Sequence, residues 1–348
     1  MMHENMIHVK KFLLVPMISG LLVSLMSFAP ARHHHRSSEV TVQDDSILPV
    51  IAWFSKRDTM TYWIHDNQWE VNGKDTVMTL GAAAKVMLTV TDSTRKGYDM
   101  EYTFLEFVSD DQIKSEAQNL VGQATDILND ATVGTTIRFR TDQCGKIVKY
   151  YNLKDIRKQA KEVLTKAISK MPYADSLRAV GLDPDKLMSM IDSDNLVDGY
   201  TEEIELLFNY HGGQYKIGET ESHEDATGNE YASDTKTDIW LDPDTYEYGI
   251  SADVYSHIPR EDIKALLGNL IEYFTDKESA KDVRKGLDTE FDSQVTADGV
   301  YNSYVRISYF NDGWPQEVVS QDNISLGDRQ KLKQKYITWD YRSVGHAE

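Results

Sequence analysis

Residues 86–108 read VMLTVTDSTRKGYDMEYTFLEFV. Two runs rich in β-branched and aromatic residues, Val86–Val90 and Tyr98–Val108, flank Arg95-Lys96-Gly97, where glycine supplies the freedom a tight turn needs. This is a β-hairpin, and working outward the same device recurs. Upstream, Val50–Phe54 and Thr59–Ile64 are strand-like runs separated by Ser55–Asp58. Asn72-Gly73 is a two-residue turn in which both positions tolerate positive φ. Downstream, Thr135–Thr141 and Lys146–Tyr151 flank the turn Asp142-Gln143-Cys144-Gly145.

Helices interrupt the strands. Ser109, Asp110, Asp111 and Gln112 form a capped helix start, followed by Ile113, Ala117, Leu120, Val121, Ala124, Ile127 and Leu128 at helical spacing. Asn152 caps a second helix with a stripe from Leu153 to Met171, which Pro172 ends. Asp183-Pro184 starts a shorter helix, and Thr201-Glu202-Glu203 another that stops at His211-Gly212-Gly213. Strands then return at Gln214–Thr220, Glu230–Leu241 and Glu247–His257. A helix at Pro259–Phe274 is followed by strands to Arg342, with turns at Ala297-Asp298-Gly299, Asn311-Asp312-Gly313 and Gly327-Asp328.

Thr89–Ala124 aligns with Ile239–Phe274 without a gap. Asp92/Asp242, Tyr98/Tyr248, Ile113/Ile263, Lys114/Lys264, Asn119/Asn269 and Leu120/Leu270 are identical. Each window reads strand, turn, strand, helix, which suggests duplicated halves. The expected fold is α+β: a mostly antiparallel, curved sheet with amphipathic helices packed on one face. The expected organisation is a signal peptide at 1–31, a flexible lead-in at 32–46, an α+β domain at 47–342 and a tail at 343–348. Within the domain, halves 47–151 and 214–342 flank a helical segment at 152–211.

The N-terminus carries the export reading. Lys10 and Lys11 precede the uncharged run FLLVPMISGLLVSLMSFA at 12–29. Ala29-Pro30-Ala31 places small residues where a signal peptidase cuts, after Ala31. No cysteine follows, so no lipid anchor is indicated, and no transmembrane segment is expected after cleavage. Removing the leader takes away Lys10, Lys11 and Glu4, making the chain one unit more acidic than its full-length charge of −19. That charge argues against nucleic acid as a partner. The single cysteine, Cys144, excludes an internal disulfide framework and any Cys-based zinc cage. The expected location is periplasmic or extracellular.

Chemistry-bearing motifs are sparse. The chain has no G-x-S-x-G elbow, phosphate-binding glycine loop or zincin motif; His223-Glu224 begins like the last, but Thr227 stands where the second histidine is needed. Asp192, Asp194, Asp198 and Glu203 fall at calcium-loop positions, with Leu196 and Val197 where an oxygen ligand and the turn glycine belong. These four are the metal candidates, against the reading of a solvated loop before a helix. Trp53, Trp63 and Trp69 are candidate ligand-stacking residues, against the reading of ordinary sheet packing. The acidic run from Glu219 to Asp238 reads as a solvated hairpin. No cofactor is expected.

The turn Asp142-Gln143-Cys144-Gly145-Lys146-Ile147 leading into Asn152-Leu153, with Asn311-Asp312-Gly313-Trp314 as a later counterpart, resembles D-x-x-G-[KR]-[IV] hairpins of exported Gram-negative proteins. That group implies no particular activity, so no site residue is carried over. A curved sheet with helices inside is also similar in plan to periplasmic lipoprotein-carrier folds. The functional expectation is an exported, non-enzymatic binding or carrier protein. The alternatives are an envelope hydrolase acting on glycan or peptide, and a structural or assembly protein of the envelope.

Overall fold

The computed structural model describes residues 46–109, 132–169, 193–227, 231–274, 291, 295 and 297–345. The signal-peptide segment, the lead-in to 45 and the helix expected from Ser109 lie outside the described residues. The protein is mostly β. Eleven antiparallel strands form one open sheet in the order β6-β5-β4-β3-β2-β13-β12-β11-β10-β9-β8, and β1 pairs with β7 in a separate ribbon. The strands are β1 (Ile47–Pro49), β2 (Thr59–Asn72), β3 (Asp75–Thr94), β4 (Gly97–Ser109), β5 (Thr136–Thr141), β6 (Ile147–Tyr150) and β7 (Gln214–Lys216). The second set is β8 (Gly218–Glu224), β9 (Ser233–Leu241), β10 (Tyr248–Ile258), β11 (Gly299–Tyr309), β12 (Pro315–Leu326) and β13 (Arg329–Ser343). Helices α1 (Leu153–Ser169), α2 (Ser193–Phe208) and α3 (Arg260–Phe274) are the described helices.

The topology repeats. β2 to β6 form one five-strand meander and β8 to β12 another, each with a long connection between its third and fourth strands. The aligned windows fall on β3–β4 and β9–β10, the second and third strands of each meander. β13 joins the halves by pairing with β2 on one side and β12 on the other, with Ile337 opposite both Ile64 and Val318. The two halves therefore share one hydrogen-bonded sheet.

Residues directly opposite in an antiparallel sheet share a face. Tracing the registers places Tyr102, Leu88, Met60, Ile64, Ile337, Val318, Ile307 and Ile250 on one face, and all are buried. The helices supply the other side of this core, through Ile156 of α1 and Ile204, Leu207 and Phe208 of α2. A smaller cluster forms where Ile263 of α3 meets Ile258, Phe291 and Val295.

A strap formed by Val50–Phe54 shows how strongly the sheet curves. The β5–β6 and β11–β12 turns are six strand spacings apart, about 29 Å along the sheet. Yet Ala52 N donates to Cys144 O at 3.0 Å in the first turn, and Trp53 N donates to Asp312 O at 2.9 Å in the second. Adjacent residues cannot bridge a flat sheet of that width, so the sheet curls round until the two turns flank the strap. The turns are built alike. Asp142 N donates to Lys146 O and Gly145 N to Asp142 O, while Phe310 N donates to Trp314 O and Gly313 N to Phe310 O. Both glycines hold positive φ, 94° and 84°. Both are crowded: a Cβ on Gly145 would lie 2.5 Å from the His211 ring, and one on Gly313 2.3 Å from Ile51 O.

Asn152 does more than precede a helix. Its Oδ1 accepts from Arg138 N at 2.8 Å and its Nδ2 donates to Thr136 O at 2.8 Å, pinning the start of α1 to β5. Two constraints, left-handed backbone and steric contact with the strap, meet at Gly313. Gly313→Ala is expected to destabilise the protein by about 2 kcal/mol or more, whereas Gly134→Ala, equally left-handed but with open space around it, costs less. Thermal unfolding of the two variants tests the ordering.

Candidate functional site

The concave face changes character along its length. At the strapped end it is filled with large rings. Phe54 stacks on Trp314 at 4.1 Å, and His211 packs against Phe208 and edge-on to Tyr309. Tyr62 donates to Pro315 O, and Tyr98 donates to Ala52 O of the strap. Further along, the same face is built from small side chains: Ala82 and Ala84 on β3, Ser320 on β12, Ser303 on β11 and Ala252 on β10. Phe107 and Val305 are only partly buried there.

His211 sits at the seal. Its Nε2 bonds Gly313 O at 2.9 Å, and its Nδ1 is buried without a hydrogen-bond partner. Burial, outweighing the backbone bonds and the field of Asp142, pushes its pKa down from 6.5 to about 4. The neutral ring therefore donates from Nε2 to Gly313 O.

A line of charge crosses the middle of the concave face. Lys331, Lys333 and Lys335 alternate along β13, opposite Glu70, Gln68 and Asp66 of β2. From α2, Glu203 meets Lys335 at 2.6 Å, and Glu202 meets Lys335 at 3.1 Å and Lys333 at 3.3 Å. Lys335 is fully buried; burial favours its neutral form, but Glu203, Glu202 and Asp66 outweigh that and hold it protonated. Burial likewise favours neutral Glu202, yet Lys335 and Lys333 keep its carboxyl below the usual range. These pairs fix the rotation of α2, whose Ile204 and Leu207 face the core.

Three of the four metal candidates fall within a helix. Asp192 lies outside the described residues. Asp194, Asp198 and Glu203 lie within α2, which starts at Ser193 rather than at Thr201. A calcium loop needs irregular backbone to turn its oxygens inward; a continuous helix cannot supply it, and Glu203 is committed to Lys335. This corrects the loop reading. No cluster of three or more potential metal ligands occurs among the described residues.

The candidate tryptophans are dispersed. Trp53 projects from the strap and is 68% exposed. Trp63 lies on the convex face, with Lys85 Nζ 5.3 Å from its ring centre and Asp340 2.7 Å from that ammonium. Trp69 shares that face six residues along β2, about 20 Å away. The acidic run forms the exposed β8–β9 hairpin at the sheet edge, where His223 bonds Asp234 and Lys236 bonds Glu219.

No protein-family model and no curated protein matches the sequence. Among solved structures, the chain is similar to lipovitellin, in a structure describing its lipid–protein interactions, with a TM-score of 0.40 and 11% identity over 85% of this chain. The chain spans 26% of that chain's length. An outer membrane channel from Pseudomonas putida F1 is matched at a TM-score of 0.13 and 9% identity, over 87% of this chain and all of that one. These figures assign no family.

Two outcomes follow from the buried charges. Lys335→Met strands Glu203, leaves Glu202 to Lys333 alone and is expected to cost about 3–5 kcal/mol, measured by denaturant unfolding. The His211 pKa is depressed in the folded state, so the unfolded chain takes up the proton first. Stability is full above about 6.5 and falls as pH drops toward 4, by roughly 3 kcal/mol in all. In His211→Phe that part of the acid dependence is expected to disappear from the pH profile of unfolding.

Proposed function

We propose that the protein is an exported, non-enzymatic carrier that holds an apolar ligand against the concave face of its curved sheet. The observation that carries this reading is the graded concave face. One end is plugged by aromatic rings and the strap, and beyond the plug the face carries the small side chains of Ala82, Ala84, Ala252, Ser303 and Ser320 beside partly buried Phe107 and Val305. Ligand sites are typically concave, mostly apolar and furnished with a few polar groups; the Lys335–Glu203 line supplies those groups.

A hydrolase working through general acid catalysis needs a carboxyl held protonated above its normal range. Among the described carboxylates with a shifted pKa, Glu202, Asp242 and Asp340 all move down. Lys333 and Lys335 hold Glu202, backbone amides hold Asp242, and Lys85 holds Asp340. These are stabilised anions, suited to structural pairing.

The test is binding of a fluorescent fatty acid, together with native mass spectrometry of the gently purified protein. A saturable complex is expected, and Ala84→Trp, which fills the face between Ile64 and Phe107, is expected to weaken it at least tenfold while the protein stays folded. Absence of binding, or identical binding by the variant, would overturn the reading. Export is tested separately: the mature protein in the extracytoplasmic fraction is expected to begin at Arg32, and an intact leader in the membrane pellet would refute cleavage.

A further inference from the structure

The strap does not end at the core. After Phe54 the chain makes a tight turn at Ser55–Asp58 that is bonded from every side. Ser55 N donates to Asp58 Oδ2 at 2.7 Å, Asp58 N to Ser55 O at 3.0 Å, and Gly345 N to Asp58 Oδ1 at 2.7 Å. Arg57 N donates to Val90 O and Val90 N to Asp58 O, locking the turn to the end of β3. Ser93 Oγ donates to Phe54 O, so the neighbouring β3–β4 turn, with Arg95 and Lys96, lies against the same segment.

This clamped turn holds its carboxylate inside and its cations outside. Asp58 is buried, while Lys56 and Arg57 are exposed. Arg57 keeps a φ of 78°, a conformation that costs an ordinary side chain free energy. Arg95 and Lys96 are also exposed. Asp92, which meets Lys56 at 3.2 Å, is the carboxylate engaged with these cations. Arg57, Arg95 and Lys96 have no ion-pair partner among the described residues. Beside them stands Trp53, its ring turned outward because Ala52 and Phe54 on either side are buried. The result is a basic tip with an exposed indole on a chain of net charge −19, whose densest acid lies on the edge hairpin β8–β9.

We propose that the tip formed by Trp53, Lys56, Arg57, Arg95 and Lys96 docks the protein on an anionic lipid surface. Charge complementarity selects the partner: grouped Lys and Arg side chains are drawn to anionic headgroups and repelled from an acidic surface such as this protein's own. Indole is the side chain that best occupies the headgroup layer, apolar in body with one donor to the wet side. Turn tips at the end of a sheet make a convex edge, which a soft headgroup layer accommodates. The acidic β8–β9 hairpin is repelled by the same surface, so docking has one orientation. The tip shares no residue with the concave face, so this proposal stands or falls apart from the carrier reading.

The test is co-flotation of the intact protein with vesicles. Wild type is expected to float with phosphatidylcholine–phosphatidylglycerol vesicles and not with phosphatidylcholine alone, and to be released by molar salt. Brominated phosphatidylglycerol is expected to quench a tryptophan signal that is missing in Trp53→Phe. Combining Lys56→Glu, Arg95→Glu and Lys96→Glu with Arg57→Gly, which also relieves the backbone, is expected to weaken binding roughly a hundredfold. Circular dichroism and thermal unfolding of that variant report whether it is folded; should it not fold, Trp53→Ala and the salt dependence of the wild type carry the decision. No flotation with anionic vesicles overturns the proposal, as does equal flotation of the charge variant. Tight binding to polyglutamate without lipid quenching of Trp53 would replace a membrane with an acidic protein partner.

Discussion

Two backbone hydrogen bonds organise this molecule, those from Ala52 and Trp53 to the carbonyls of Cys144 and Asp312. They tie together two turns that a flat sheet would hold far apart. An amide in a buried strap must find an acceptor or forfeit its solvation free energy, and here the acceptors come from opposite sides of the curl. Curvature, the aromatic plug and the distinction between concave and convex faces all follow from that closure. The glycines at the two turns are conditions of it, because any side chain there would push the strap or His211 away.

Closure divides the interior into two zones with different physics. Around Phe54, Trp314 and Tyr309 the core is ring-filled and gains from area removed from water. Around Lys335 it is ionic, and three carboxylates offset the desolvation of a single ammonium. Such a hub contributes less stability than orientation: α2 can dock with Glu202 and Glu203 on the lysines in only one rotation. Between the zones the face is lined by the small residues of β3, β11 and β12, and the outer rim at Trp53 presents a chemistry quite unlike the rest of the acidic surface.

The strands were legible because hairpin chemistry is local. Arg95-Lys96-Gly97, Asn72-Gly73, Asp142–Gly145 and Asn311–Gly313 each announce a turn through residues that tolerate left-handed backbone, and each is a turn. The aligned windows Thr89–Ala124 and Ile239–Phe274 fall on hairpins at the same place in two similar meanders. The stretch from Asp192 to Glu203 misled because regularly placed carboxylates look alike in a loop and in a helix. Glu203 could not be matched with Lys335, more than a hundred residues away, although the alternating lysines of KLKQK at 331–335 mark one face of a strand. His211 carried no signal beyond its neighbouring glycines.

Sequence alone determined most of the elements, namely which runs extend, where they turn, which faces are apolar, and that the chain holds a large excess of acid, although Val50–Phe54, read as a strand paired with Thr59–Ile64, is a strap outside the sheet. These depend on φ preferences and on the two-residue period of a strand, both of which act over a few neighbours. Tertiary structure decided how far the sheet curls, which side chains meet across it, and that Trp53, Trp63 and Trp69 point to different places. It also gathered four cations at one tip of an acidic protein. Contacts of that kind join residues distant along the chain, and their geometry is set by closure of the whole sheet rather than by any local segment.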